Sequence, residues 1–268
     1  MALALYSRIS GPVAEPGTSQ AKDPVVLLHG VFGSLENLGV VERKLAETMA
    51  VHSLDLRNHG RSPHADTMSY REMAEDVLDY LDRQGIGKAA IVGHSMGGKV
   101  GMRLALDAPE RVSRLIVADI APVDYEPHHE AILEGLQALD AARLASRAEA
   151  DKVLQDFVQE AGVRQFLLKN LVRDDQGAFV LRLNLKAILE NYDDIVAGQE
   201  SDSAFNEPVL FIKGGSSNYI REQHRDKVSR LFPNSTLRVI PGVGHWLHAE
   251  KPELFTNLCE RFLTGELD

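Results

Sequence analysis

The chain has 268 residues, of which 44% are hydrophobic and 25% charged, the proportions of a folded globular protein with room for one large core. A formal net charge of -10 repels phosphate backbones, and no lysine and arginine cluster reverses it locally, so nucleic acid is not an expected partner. The single cysteine, Cys259, excludes an internal disulfide and a multi-cysteine metal site, and its setting in FTNLCERFL reads as a buried helical thiol.

The N-terminal MALALYSRIS has neither a charged n-region nor a long apolar h-region, and no window reaches the roughly 20 apolar residues of a membrane helix. A cytoplasmic chain with no stable membrane association is therefore expected. After a weakly marked edge strand near 3–9, apolar runs alternate with helical patterns: VVLLHG (25–30), VHSLDL (51–56), AAIVGH (89–94), RLIVADI (114–120), PVLFIKG (208–214) and LRVIPG (237–242). Few charges interrupt them, as befits strands covered on both faces of a mostly parallel sheet. Ser69 and Glu72 form a capping-box pattern opening the helix SYREMAEDVLDYLDRQ. A second helix follows Ser95 and stops before Pro109, and Pro252 opens a third, PELFTNLCERFL.

Between 122 and 206 no parallel strand is evident. HHEAILEGLQALDAARL (128–144) and SRAEADKVLQDFVQEAG (146–162), the latter with a Ser146/Glu149 capping box, carry apolar residues at helical spacing, and GAFVLRLNLKAILENY passes from strand-like to helical. The expected architecture is one α/β domain over 1–268 with a helical cap, 122–206, inserted between two strands.

IVGHSMGG (91–98) places Ser95 between a strand and a helix with Gly93 and Gly97 two positions either side. Strand and helix approach closely at such a turn, which aims the serine hydroxyl out of the sheet and leaves the Met96 N–H free at a helix start. Ser95 is the candidate nucleophile and Met96 half of an oxyanion hole. The loop LLHGVFGS supplies the other half, assigned to the Val31 N–H, with Phe32 as a wall of the acyl pocket and His29 structural. His245 in IPGVGHWLH follows the last strand, giving the order serine, acid, histidine, and is the candidate base. His248 makes H-x-x-H with it, but no further ligand at metal spacing accompanies the pair, so no metal is expected. His94 and Trp246, beside the nucleophile and the base, are further candidate substrate contacts. The loop IKGGSSNYI has no carboxylate. Asp119, ending LIVADIAP at the same sheet edge, is taken as the acid, with Asp193 and Asp194 as the alternatives. In DLRNHGRS (55–62), Asp55 and Arg57 are read as a pair supporting the floor of the site.

With HGVFGS, DLRNHGRS, GHSMGGK, DIAPVDY and GHW in this order, the chain resembles the α/β-hydrolase superfamily, and within it the YbfF-like bacterial esterases, from about residue 6 to 263. The resemblance implies a cofactor-free serine hydrolase acting on acyl esters or acyl-CoA thioesters, with its nucleophile on Ser95, its base on His245 and its aspartate on Asp119. The same residues would also serve C–C bond hydrolysis, perhydrolysis or a lyase reaction, since fold and triad do not separate these. A non-catalytic ligand-binding relative is the remaining alternative. Leu133, Leu136, Phe157, Phe166 and Leu167 are read as cap packing residues or walls of an acyl tunnel, and Arg221 and Arg225 as a solvated helix face.

Overall fold

The computed structural model describes residues 2–12, 23–142 and 144–267. The chain runs through β1 (Ser7–Ser10), β2 (Val25–Leu28), α1 (Gly39–Leu45), β3 (Val51–Leu54), α2 (Tyr70–Arg83), β4 (Ala89–His94), α3 (Met96–Asp107) and β5 (Val112–Ala118). A long insertion follows, with α4 (Glu130–Ala141), α5 (Arg147–Gln155), α6 (Ala161–Leu167), β6 (Leu171–Arg173), β7 (Phe179–Leu181), α7 (Leu185–Glu190) and α8 (Tyr192–Val196). The strand–helix alternation resumes with β8 (Val209–Gly214), α9 (Arg225–Leu231), β9 (Ser235–Ile240), α10 (Leu247–Glu250) and α11 (Pro252–Leu263).

Seven strands form one sheet in the order β1-β3-β2-β4-β5-β8-β9, parallel throughout except where β1 meets β3. Successive residues of the central strands bury opposite faces. Val26, Leu28, Ile91, Leu115 and Val117 join the core beneath α2 and α3, while Val25, Leu27, Val92, Ile116 and Ile212 pack with Leu45, Phe255 and Phe262 of α1 and α11. Cys259 is a free, buried thiol in that second layer. The fold is thus α/β, with a mostly parallel sheet between helices, and every sheet strand but β1 and β9 has a neighbour on each side.

The insertion departs from a purely helical reading, because β6 and β7 pair as an antiparallel hairpin. Its turn is closed by the Asp174 carboxylate, which accepts the Gln176 and Ala178 amides at 2.9 and 2.8 Å. The pattern over 146–162 also splits: α5 ends at Gln155 and α6 begins at Ala161. Arg164 holds the break open by donating to the Val158 and Gln159 carbonyls at 3.0 and 2.8 Å while pairing with Asp151. The reciprocal half of the Ser146/Glu149 cap goes to the Ala145 amide instead of Ser146. Arg143, within the pattern read as helix over 128–144, lies outside the described residues.

Candidate active site

Ser95 joins β4 to α3 with φ 52° and ψ −118°, a conformation that L-residues adopt only under constraint. The constraint is visible on both sides. Its amide donates to the Ala118 carbonyl of β5 at 3.0 Å, and its carbonyl accepts the Lys99 amide at 3.1 Å, opening the helix. The flanking glycines are steric necessities: a Cβ on Gly93 would lie 2.2 Å from the Gly97 carbonyl oxygen, and one on Gly97 2.3 Å from that of Leu28.

Asp119 directly follows β5, is fully buried and takes φ 51°. Its carboxylate accepts the Gly214 amide at 2.9 Å through Oδ1, while Oδ2 accepts the Ser217 hydroxyl and lies 2.8 Å from His245 Nδ1. Ser217 therefore hydrogen-bonds the acid and not the imidazole. Asp193 and Asp194 are exposed on α8, and no hydrogen bond or ion pair joins them to His245. The His245 ring lies between two others: Tyr219 stacks on it at 4.0 Å and 24°, and His94 meets it at 4.7 Å. Ser95 and His245 line the same cavity without a hydrogen bond to one another. Such contacts commonly tighten only around bound substrate.

The loop after β2 is held from three directions. The His59 Nε2 accepts the Phe32 amide at 3.2 Å, Asn170 of the insertion donates to the Phe32 carbonyl at 2.6 Å, and the Gly33 amide donates to the Gly30 carbonyl at 3.1 Å. Phe32 itself takes φ 61°. Its amide is thus engaged, whereas the Val31 amide donates to no acceptor among the described residues. The Met96 amide, at the first position of α3, has no partner within its helix. His29 and His59 are buried supports. Leu56 N–H donates to His29 Nε2 at 3.0 Å, and desolvation moves His29 down to about 4 and His59 to about 3, so both are neutral bracing groups.

Two cavities adjoin Ser95. One of about 240 Å³ is walled by Phe32, His94, Ile132, Phe166, His245 and Trp246. A smaller one of about 20 Å³ lies against Val31, Ser95 and Met96, with Lys99 and Tyr70 behind. The three candidate substrate contacts, Phe32, His94 and Trp246, thus converge on the larger cavity. His94 lines it from a buried position, its Nε2 donating to the His245 carbonyl at 2.9 Å, and desolvation holds it neutral. Of the apolar insertion residues singled out in the sequence, Phe166 reaches this cavity, while Leu133, Leu136 and Leu167 are buried in the core.

A sequence model for the alpha/beta hydrolase fold matches residues 23–252. The chain belongs to the α/β-hydrolase family. It is 42% identical over 241 residues to Esterase YbfF of Escherichia coli, covering 90% of this chain and 92% of that one. It is 38% identical to the sn-1-specific diacylglycerol lipase ABHD11 of Mus musculus, with 89% and 80% covered. Among solved structures, a marine microorganism esterase superposes with a TM-score of 0.92 at 36% identity, covering 97% of this chain and all of that one. These relatives place the chain with the YbfF-like esterases of the family.

The pairing expected in DLRNHGRS is different in this hydrolase. Arg57 forms a two-point bond with Asp76 of α2, at 2.7 and 2.9 Å, and Asp55 accepts the Leu35 and Arg61 amides at 2.7 and 2.8 Å. A guanidinium needs a carboxylate across its fork, and Asp55 is already filled by backbone donors. Several residues bordering the cavities have no role legible from the sequence: His128, His129, Tyr219 and Lys99, the last inside GHSMGGK. Lys99 alone gave a signal, a charge inside an otherwise apolar stretch after the elbow. Its ammonium is buried and donates to the carbonyls of Val123, Val196 and Ala197, the two roots of the insertion, beneath the Tyr125 and Tyr70 rings. Burial lowers it to about 7, while the three carbonyls and two ring faces favour its charged form.

Proposed function

We propose that the chain hydrolyses carboxylic esters or acyl thioesters through an acyl-enzyme on Ser95, with His245 and Asp119 completing a triad. The observation that carries this reading is the His245 Nδ1–Asp119 bond of 2.8 Å beside a strained Ser95 at the mouth of one cavity. Asp119 fixes the imidazole so that Nε2 is the nitrogen left for catalysis. The Ser95 oxygen attacks the acyl carbonyl as its proton passes to Nε2, and the carbonyl oxygen becomes an oxyanion. The Val31 and Met96 amides stabilise it in the small cavity, which at about 20 Å³ has room for one water-sized group. Collapse breaks the bond to the alcohol or thiol, which leaves with the proton from Nε2. Water then attacks the acyl-enzyme, giving its proton to His245, and the carboxylic acid departs as Ser95 is restored.

The apolar walls at Phe32, Phe166 and Trp246 suit the acyl chain, and the insertion acts as a cap over it. No helix among the described residues is long and apolar enough to cross a membrane, and an acidic chain with one buried thiol suits the cytoplasm. The test is turnover of p-nitrophenyl butyrate and butyryl-CoA by the native chain and by Ser95→Ala. Loss of at least about a thousandfold in kcat/KM is expected; full retention of activity by Ser95→Ala would overturn the reading.

A further inference from the structure

Three cavities meet at two side chains. Tyr219 and His128 both border the small cavity behind Ser95, the 240 Å³ cavity in front of it, and an open groove of about 520 Å³ on the other side. The two chambers differ in character: the Ser95 cavity is walled by Ile132, Phe166 and Trp246, the groove by Asp124, Glu126, Asn218, Arg221 and Gln223. What divides them is a hydrogen bond between the Tyr219 hydroxyl and His128 Nε2.

We propose that the Tyr219–His128 pair is a partition that sets the size of the alcohol portion a substrate can carry, separating an apolar acyl chamber from a polar groove. The proposal rests on the hydrolase reading above and names the residues that limit its substrates. Its two halves are anchored unequally. Tyr219 is fixed to the loops at the sheet edge: its amide donates to Ser217 Oγ at 3.2 Å, its carbonyl accepts the Tyr125 hydroxyl at 2.6 Å, and its ring stacks on His245. His128 belongs to the insertion, ahead of α4, and its side chain is exposed. Apart from Tyr219 its ring is held by a bond from Nδ1 to the Glu126 carbonyl, 2.7 Å away and two residues along the chain, and by the His129 and Tyr125 rings at 4.0 and 6.4 Å, while its amide makes a long bond of 3.4 Å to the Tyr192 hydroxyl. Nδ1 donates to that carbonyl, and Nε2 meets the Tyr219 hydroxyl. Rotation of His128 outward would therefore join groove and cavity while leaving Tyr219 stacked on the base. With the partition closed, an ester of a small alcohol fits at Ser95; with it open, a bulky polar alcohol finds hydrogen-bonding partners along the groove.

Two esters with one acyl group separate the effect from general changes in activity. The ratio of kcat/KM for sorbitol monobutyrate to that for methyl butyrate is measured in the native chain, in His128→Ala and in Tyr219→Phe, which keeps the ring and removes the hydroxyl. The ratio is expected to rise at least tenfold in His128→Ala and in the same direction in Tyr219→Phe. If methyl butyrate is turned over in a Ser95-dependent manner and the ratio is unchanged in both variants, the partition is refuted while the hydrolase reading stands. If neither ester shows Ser95-dependent turnover, the hydrolase reading falls and the partition with it.

Discussion

A methyl group on Gly97 would sit 2.3 Å from the Leu28 carbonyl oxygen, a backbone atom of the neighbouring strand that cannot swing aside. Gly97→Ala is therefore expected to cost about 1–3 kcal/mol of stability, read from the urea midpoint, and to weaken fluorophosphonate labelling of Ser95 by displacing the turn. Unchanged stability and labelling would show that the elbow tolerates a side chain. At this scale the sequence was informative wherever chemistry imposes spacing. Ser95 between two glycines, His245 after the last sheet strand and Asp119 after β5 are all placed at one end of the sheet by local rules. Tyr219 and His128 were illegible because their roles arise from a meeting of segments 91 residues apart, which no local pattern encodes. Ser217 was legible only as part of a loop without a carboxylate; its hydroxyl donates to Asp119.

The elements were legible in proportion to how strongly burial patterned them. Strands covered on both faces read as apolar runs, and their observed limits differ by a few residues where the run continues into a loop, as at His29 after β2. Short α1 and the β6–β7 hairpin left weaker traces, because three-residue strands on a partly exposed hairpin give too few alternations to detect. The pairing of Arg57 was misread for a related reason: the nearest acid in sequence is Asp55, but its correct partner lies on α2, 19 residues away. Asp76 is fully buried, accepts the Leu3 amide at 2.6 Å and takes the Arg57 fork. Asp76→Asn leaves that guanidinium with only the partly exposed Glu72 carboxylate, 3.3 Å away, as counter-charge, and a loss of about 3 kcal/mol in urea unfolding is expected. A change below about 0.5 kcal/mol would mean that the other partners of Arg57, the Glu72 carboxylate and the Thr67 and Glu72 carbonyls, suffice to hold it.

Across the whole molecule, histidine burial sets the response to acid. His29 is lowered to about 4, and His59 and His248 to about 3, each chiefly by desolvation. Histidines of the unfolded chain take up protons as the pH falls through about 6.5, whereas these native ones do not until about 4 and 3. The unfolded state thus binds more protons within that window, and stability present above about 6.5 is lost as the pH falls towards 3. By pH 5 each contributes a loss of about 2 kcal/mol. The urea midpoint should accordingly be lower at pH 5 than at pH 7.5; a midpoint that stays level or rises on acidification would contradict the neutral burial of these rings. Two of these rings, His29 and His59, brace the loop that presents the Val31 amide, so acid sensitivity and the proposed oxyanion site share a foundation.

The proposed acyl-enzyme is a covalent bond to one oxygen, Oγ of Ser95. Acid-quenching the chain during turnover of p-nitrophenyl butyrate, then digesting it and weighing its peptides, would trap and locate that bond. One butyryl group on the peptide carrying Ser95, absent from Ser95→Ala, is the predicted result. Turnover with that peptide unmodified in the native chain, or with the acyl group on another residue, would contradict it.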